Sequence, residues 1–374
     1  MHIKSLQMTN SLKLINYFID RWNTLLGRFI HIVERVYSIL RKEVWLLEKV
    51  DANNLNNNSV RFIGSTQEMH YIGRLFFNDY THRLIGHYWL WQVLFPSGKI
   101  DKNCSFSVIQ TGWKIDRLYR SKRMFCVPTW IFGSIDLTLD TDSKLNQSRS
   151  LKNNLRRVKN SNFEVDVSSD PLSFDEFYYK MYHPYISKRH GKTVIDISYK
   201  RLKEQFVKGS EILFLVKDSQ RIAGQMICYK GDEVVAYELG VKDGNFQWVQ
   251  QGAITALYFN TINYCKSKGF AKLSVGGSRP FISDGVLSYK LKNWRMKIHG
   301  HSKKFYFLIK QHKSNRFTQD FLCKNHFISL KNGEMVVNTF YQKTDKKNNA
   351  TIENRTKYIK YGLPTVKIHC FDVK

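Results

Sequence analysis

The stretch that decides the fold runs from Val234 to Trp294 and ends with residues 276–294, which read GGSRPFISDGVLSYKLKNW. Its first part reads as a strand, a glycine-bearing turn, an amphipathic helix over Gly252–Lys268 and a short strand over Lys272–Val275. A helix that starts directly after a buried strand directs free backbone N–H groups and the positive end of its dipole at the tip of that strand. Such a helix start is suited to bind phosphate.

Upstream of this stretch the chain alternates between strand and helix patterns, which is typical of a mixed α/β domain. Strands are predicted over Glu211–Lys217, Arg221–Tyr229 and Val234–Val241. The turns between them are short, and short turns favour antiparallel pairing of neighbouring strands. The sequence therefore predicts three consecutive neighbours in one bent, mostly antiparallel sheet flanked by helices.

The dense motif follows a fixed order: a Gly-Gly-Ser-Arg turn at a strand end, Asp284-Gly285, then Lys290 and Trp294. This order resembles the acyltransferase domain of FemAB-like proteins within the GNAT fold. The resemblance implies a GNAT-type acyltransferase domain over 148–374, preceded by a degenerate GNAT-like half over 55–147. The segments VPTW (127–130) and SRSLKNNLRRVKN (148–160) are similar to segments of that family. The family commonly has Gly after the Trp, where this chain has Arg295.

The resemblance implies an enzyme that takes acetyl-CoA or another acyl-CoA as co-substrate. The acyl group would pass to an amine or hydroxyl of a small molecule, a sugar or a cell-envelope precursor, as in polysaccharide biosynthesis. Two alternatives stay open: an aminoacyl-tRNA-dependent transferase acting on a peptidoglycan precursor, and a non-catalytic basic binding protein with this fold. The tRNA-dependent enzymes commonly carry a long coiled-coil insertion, and none interrupts this sequence.

The turn that opens the helix at Gly252 is the predicted cofactor site. In GNAT enzymes a Gln/Arg-x-x-Gly-x-Gly/Ala loop stands here, and its amides hold the pyrophosphate of coenzyme A. The corresponding residues are Gln250, Gln251, Gly252 and Ala253, of which only the last two are small, and Val249 stands where the motif has Gln or Arg. The alternative is a plain helix N-terminus.

Acyl transfer to an amine or hydroxyl needs a base for the acceptor's proton and an acid for the leaving group. The predicted catalytic residues are Glu238, Asp284 and Tyr258. Glu238 has apolar neighbours, which would raise its pKa by desolvation. The structural interpretations are a solvent-facing strand residue for Glu238 and an ordinary turn residue for Asp284, and Tyr258 is one of 20 tyrosines in the chain.

Five further residues are predicted to bind substrate. They are Arg156, Arg157, Ser278, Arg279 and Lys290. The two arginines lie in a basic segment, and a charge run of this kind is equally well explained as a solvated helix face. The other three are equally compatible with a turn followed by a surface helix.

The amino-acid composition says less than the motif does about the class of molecule that the protein binds. The net charge of +28 favours anionic partners, but Lys and Asn are abundant along the whole chain, so a compositional bias explains it equally well. The six cysteines include no C-x-x-C pair, which favours reduced thiols and a cytoplasmic protein without a metal site. Residues 1–14 lack the uninterrupted apolar run of a secretory signal.

Residues 11–50 place apolar side chains on alternating three- and four-residue steps. This predicts an N-terminal amphipathic helix or helical hairpin within segment 1–54, followed by an Asn-rich linker over Asp51–Ser59. Charges such as Asp20 and Arg28 exclude a transmembrane span. Three uses remain: packing on the enzyme body, pairing with another chain to form an oligomer, or peripheral contact with a membrane surface.

Overall fold

The computed structural model describes residues 41–50, 58–89, 92, 104–112, 124–138, 149–191, 197–342 and 357–371. Their strands form a nine-stranded and a seven-stranded sheet, with helices packed on both, which confirms the predicted mixed α/β class. No helix in these ranges is both long enough and apolar enough to cross a membrane.

The described residues form sixteen strands, numbered in chain order. They are β1 (Arg41–Lys49), β2 (Ser59–Ile63), β3 (Tyr80–Trp89), β4 (Phe106–Thr111), β5 (Met124–Pro128), β6 (Ile131–Asp136), β7 (Glu164–Ser168), β8 (Ser210–Lys217), β9 (Gln220–Lys230), β10 (Glu233–Val241), β11 (Lys272–Ser278), β12 (Lys297–His301), β13 (Tyr306–Gln311), β14 (Phe327–Lys331), β15 (Glu334–Gln342) and β16 (Val366–Phe371). The first sheet has the order β16-β15-β14-β5-β13-β4-β2-β1-β3 and the second the order β12-β6-β11-β10-β9-β8-β7.

The helices of the described residues are mostly short. They are α1 (Thr66–Phe76), α2 (Arg149–Asn160), α3 (Pro171–Glu176), which continues through a π-helical segment (Phe177–Tyr182) into α4 (His183–His190), α5 (Tyr199–Phe206), a 3₁₀ turn (Lys242–Gly244), α6 (Phe246–Gln250), α7 (Ala253–Ser267), α8 (Gly285–Trp294) and α9 (Arg316–Lys324).

The second sheet has the pairing that the sequence predicts. Strands β8, β9 and β10 are consecutive antiparallel neighbours. The turn between β8 and β9 places Asp218 at φ 50° and Ser219 at φ 59°, a left-handed pair that suits the twist of a two-residue hairpin. Among the described strands of this sheet, β10 and β11 pair in parallel and the other neighbours are antiparallel.

The helix predicted over residues 11–50 is wrong in its last part, because Arg41–Lys49 is strand β1. This strand pairs with β2 on one side and with β3 on the other. Val44 and Leu47, three residues apart as on a helix, are nevertheless buried between these neighbours and the core. The backbone hydrogen bonds of two flanking strands override a local helical period. Residues 11–40 and 51–57 lie outside the described residues.

The alternation of residues over His299–Lys310 predicts one strand, but this prediction is wrong because the chain changes sheets within the segment. Strand β12 ends at His301 beside β6, and β13 begins at Tyr306 between β4 and β5 of the other sheet. The two sheets therefore exchange strands: β6 belongs to the second, while the C-terminal β13–β16 complete the first. The domain boundaries at 54/55 and 147/148 stay predictions, and the sheets divide the chain differently.

Candidate active site

Helix α8 carries the Asp-Gly, Lys and Trp of the motif, and its start explains the first of them. Asp284 is the N-cap, and its Oδ1 accepts hydrogen bonds from the amides of Val286 and Leu287, both at 3.0 Å. An Asp in this position satisfies amides that have no partner within the helix. The structure therefore places Asp284, a predicted catalytic residue, in a capping role.

The end of α8 explains the residue after Trp294. Arg295 has φ 52° and ψ 37°, a left-handed C-cap, and the amide of Met296 donates to the carbonyl of Lys290 at 3.1 Å. Glycine adopts this conformation at least cost, which accounts for the glycine of the related motif. Arginine here keeps the same helix end.

Lys290 is the most unusual polar group of the site. Its side chain is 4% exposed, and Nζ donates to the carbonyl of Gly277 and to the Oγ of Ser278, both at 3.1 Å. Burial lowers the pKa of Lys290 to about 8, against the opposing charges of Glu238 and Asp284. An ammonium group has three N–H donors, and Gly277 and Ser278 use two of them. Within the part of the chain that the structure describes, the third donor has no hydrogen bond and is open to another acceptor.

Glu238 lies where strands β10 and β11 lose their pairing. In their parallel pairing, Val234 lies opposite Leu273 and Val235 lies opposite Ser274. Beyond these two pairs, the register of β10 with its other neighbour, β9, shifts between Ala236 and Leu239. Glu238 falls inside that irregularity and is half-buried. Its backbone carbonyl accepts a 2.9 Å hydrogen bond from Gln225 Nε2. Because the carboxylate raises the pKa of Lys290, the two groups form one electrostatic unit at this end of the sheet.

Three aromatic side chains, Tyr258, Tyr289 and Trp294, pack against one another in the same region. Tyr258, on α7, stacks on Trp294 with ring centroids 5.5 Å apart and meets Tyr289 edge-on at the same distance. Burial raises the pKa of Tyr258 well above its usual range, so its hydroxyl stays protonated and can act only as a neutral donor or acceptor. Trp294 is 3% exposed, and its Nε1 has no hydrogen-bond partner among the described residues.

Arg279, predicted to bind substrate, points away from Lys290's acceptors into the first sheet's helix layer. Its guanidinium pairs with both carboxylate oxygens of Glu68 on α1, at 3.2 and 2.8 Å, and both side chains are buried. The partner is 211 residues away in the sequence. No periodicity or motif in the sequence relates the two residues, so sequence reasoning missed Glu68.

In the predicted cofactor turn, two of the backbone amides already donate to backbone carbonyls of the same segment. The amide of Gln251 donates to the carbonyl of Gln247, and that of Gly252 to the carbonyl of Val249, both at 3.0 Å. Gln250 is exposed, whereas Ala253 is buried in the core. Of the amides predicted to hold pyrophosphate, those of Gln251 and Gly252 are thus already bonded, which is the geometry of a turn between α6 and α7.

Helix α2 covers this turn and presents a basic outer face. Its Leu151 is buried in the core, while its exposed side chains include Arg156 and Arg157, both predicted to bind substrate. Gly252 has φ 98°, and a Cβ added there would lie 3.2 Å from Val158 Cγ2. The close approach of α2 to α7 therefore depends on glycine at this position.

Substitution of Gly252 is expected to destabilise the fold rather than act on a ligand alone. Gly252→Ala should cost about 2–3 kcal/mol, from the left-handed backbone and the contact with Val158, and Gly252→Val more. Gly269→Ala is the matched control, because Gly269 has φ 86° with nothing within 4 Å of the added Cβ. Urea unfolding followed by circular dichroism measures the losses. Equal losses at both glycines would contradict the role of the α2 contact.

Comparison with known proteins adds solved structures only. No protein-family model matches the chain, and no curated protein does. FemX matches with 10% identity over 69% of this chain and 82% of that chain, at a TM-score of 0.35. L-PGS from Bacillus licheniformis matches with 11% identity over 71% and 81%, at a TM-score of 0.34. A GCN5-related N-acetyltransferase from Sphaerobacter thermophilus matches with 10% identity over 73% and 78%, at a TM-score of 0.33.

Both groups that the sequence resemblance names, FemAB-like and GNAT proteins, are represented among the matched structures. At these identities and TM-scores the likeness carries no information on substrate, cofactor or mechanism. The chemistry depends on what the site's own residues can do.

Proposed function

We propose that the protein is an acyltransferase that moves an acyl group from a coenzyme A thioester to an amine or hydroxyl. The observation that carries the proposal is Lys290: a buried ammonium with two N–H groups held by Gly277 and Ser278 and a third that remains available. With a pKa of about 8 it is mostly protonated at neutral pH. A pre-oriented donor of this kind stabilises the negative charge that develops on an acyl carbonyl oxygen under attack.

Glu238 and Tyr258 complete the proposed chemistry. Glu238, in the irregularity of β10, is the base that takes the proton of the attacking amine or hydroxyl. Tyr258, kept neutral by burial, is the donor for the leaving thiolate. In one turnover the acceptor's N–C or O–C bond forms and the C–S bond breaks. The acceptor's proton passes to Glu238, which later releases it to solvent, and the thiolate leaves hydrogen-bonded to the neutral hydroxyl of Tyr258.

The donor's phosphates are assigned to the basic face of α2 beside the start of α7. Since the amides of Gln251 and Gly252 are bonded internally, the phosphates would contact Arg156 and Arg157 instead. Guanidinium groups are well suited to bind phosphate oxygens in pairs. The acceptor is proposed to be a small molecule, a sugar or a cell-envelope precursor.

A tRNA-linked acyl donor is the second candidate, because the same basic face suits a polyanion. The exposed residues of α2 include four cations and the helix contains no acidic residue; the cations are Lys152, Arg156, Arg157 and Lys159. Attraction of this kind to a nucleic acid weakens steeply with salt. Salt dependence therefore helps to separate the two donors.

Ligand-induced thermal stabilisation tests the donor. Acetyl-CoA and desulfo-CoA should both raise the melting temperature, and deacylated tRNA should not, because a ligand that binds only the folded state stabilises it. In Arg156→Ala/Arg157→Ala the shift should shrink, while Lys324→Ala/Lys331→Ala, which removes two exposed cations elsewhere, keeps it. If only tRNA raised the melting temperature, the proposed acyl donor would be an aminoacyl-tRNA ester and not a thioester. If none of the three ligands raised it, a non-catalytic role would be favoured.

A further inference from the structure

We propose that the buried ion pair between Glu68 and Arg279 is a positioning device for Lys290. The pair joins α1, in the helix layer of the first sheet, to the end of β11 in the second. Its catalytic meaning rests on the proposed acyl transfer, but its action on Lys290 is a physical property of the fold and can be measured without turnover.

The guanidinium of Arg279 contacts a carboxylate, a backbone carbonyl and two aromatic rings. Besides the two hydrogen bonds to Glu68, its Nη1 donates to the carbonyl of Thr129 at 3.2 Å. Its Cζ lies 4.1 Å from the ring centroid of Tyr71 and 4.2 Å from that of Trp130, so the flat group is enclosed between two aromatic faces. Bidentate pairing and stacking on both faces are properties of arginine that lysine does not share.

This clamp lies one residue from the groups that hold Lys290. Arg279 follows Ser278, whose Oγ accepts from Nζ, and Gly277, whose carbonyl does the same. Trp130 touches both parts: it stacks on Arg279, and its Cε3 would lie 3.1 Å from a Cβ added to Gly277. The position of the two acceptors is thus set by their pairing with β6, where Gly277 faces Phe132 and Ser278 faces Ile131, and by the contacts of Arg279 with α1 and with the β5–β6 connection.

The next residues along the chain are tied to the first sheet as well. Ile328 donates its amide to the carbonyl of Pro280, and Ile282 donates its amide to that of His326 at 2.8 Å. These backbone bonds hold the segment beyond Arg279, whereas the pairing with β6 and the side chain of Arg279 hold the part nearest Lys290. Loosening the ion pair should therefore disturb Gly277 and Ser278 without releasing the whole segment.

The sign of the effect follows from which form of Lys290 the acceptors favour. Burial lowers its pKa, and hydrogen bonds from the ammonium to Gly277 and Ser278 oppose that lowering by stabilising the charged form. When the acceptors move away, only the charges of Glu238 and Asp284 still oppose burial, and the pKa falls further. Glu68→Gln and Arg279→Lys should both lower the pKa of Lys290, as should Ser278→Ala, which removes one acceptor directly.

The measurement is the pKa of Lys290 by NMR, in protein labelled with ¹³C at lysine Cε, with Lys290→Arg to assign its signal. We expect Glu68→Gln and Arg279→Lys to lower this pKa by about half a unit or more. Once an acceptor substrate is identified, the kcat of both variants should fall roughly tenfold while KM stays nearly unchanged, because the variants change the orientation of Lys290 and not the binding of substrate. Glu68→Asp, which keeps the charge, should restore part of both.

Asp166→Asn is the matched control, since it breaks another ion pair of the second sheet, that of Asp166 with Arg221. It should leave the pKa of Lys290 at its wild-type value. An unchanged pKa in Arg279→Lys and Glu68→Gln, with only the melting temperature lowered, would reduce the pair to a structural tie; if Glu68→Gln fails to fold, Arg279→Lys decides alone. If the variants shift the pKa of Lys290 but the wild-type protein catalyses no acyl transfer, the positioning role of the ion pair is supported and the proposed function is refuted.

Discussion

Replacing Lys290 by methionine is expected to lower kcat by about 10²–10³-fold, the usual loss when one donor to a developing oxyanion is removed. Methionine fills most of the space of the lysine stem and carries no charge, so the buried site is not emptied. The loss should appear in kcat rather than KM, because the proposed hydrogen bond strengthens only as the carbonyl oxygen gains charge. Steady-state kinetics with acetyl-CoA and a saturating acceptor measure it.

Lys292→Met is the matched control, because Lys292 lies on the same helix and is exposed. It should keep wild-type kcat and wild-type unfolding. If Lys290→Met kept full turnover, Lys290 would be a structural group and the motif would lose its proposed chemical meaning.

The pH dependence of the wild type gives the same test without a mutation. With the pKa of Lys290 at about 8, kcat should be level at neutral pH and fall as the pH rises through 8, because the neutral amine is the weaker donor. Stability should move the other way. The folded pKa lies below the unfolded value of 10.5, so the free energy of unfolding should rise between about pH 8 and 10.5, and Lys290→Met should lack that rise.

Replacing Trp294 by alanine should cost about 3–5 kcal/mol of unfolding free energy, the usual range for a large aromatic side chain removed from a core. Trp294 is 3% exposed, stacks on Tyr258 and lies edge-on to Tyr289. Its loss leaves a cavity between α7 and α8, which the two tyrosines can fill only in part. Urea unfolding followed by near- and far-ultraviolet circular dichroism measures the change.

Trp294→Phe should lose much less than Trp294→Ala, since a ring remains against Tyr258 and the unpaired Nε1 disappears. Phe246→Ala is the control for removing an aromatic residue without burial, because Phe246 is 67% exposed, and it should stay within about 0.5 kcal/mol of wild type. A loss below 1 kcal/mol in Trp294→Ala would contradict the core role.

Local patterns predicted strands β8 to β11 of the second sheet well, and for identifiable reasons. The strand alternation and short turns between Glu211 and Val241 are sequence-local, and so are the Asp-Gly start and the basic face of α2. The motif likewise brought Ser278 and Lys290 into one prediction, and the structure joins them by a hydrogen bond. In each case the interacting residues lie within one element or in two that are close along the chain.

Long-range contacts decided much of the rest, and local hydrogen bonds decided the roles of Asp284 and of the cofactor turn. Whether Arg41–Lys49 is strand or helix depends on the neighbours β2 and β3. Asp284 and Arg279, predicted for catalysis and substrate binding, are used for a helix cap and for an ion pair with Glu68. The cofactor prediction requires free amides at the start of α7, yet two of these amides donate to carbonyls of the short preceding helix α6.

By itself, the sequence determined the α/β class and the antiparallel core strands, because hydrophobic period and turn residues act over a few positions, and it pointed to the segment in which we propose the chemistry. Only the tertiary structure decided that the two sheets exchange strands, that Lys290 is buried beside Gly277 and Ser278, and that Glu68 reaches Arg279. Burial, desolvation and ion pairing depend on what surrounds a group in space. That surrounding comes from residues up to 211 positions apart, so no local pattern encodes it.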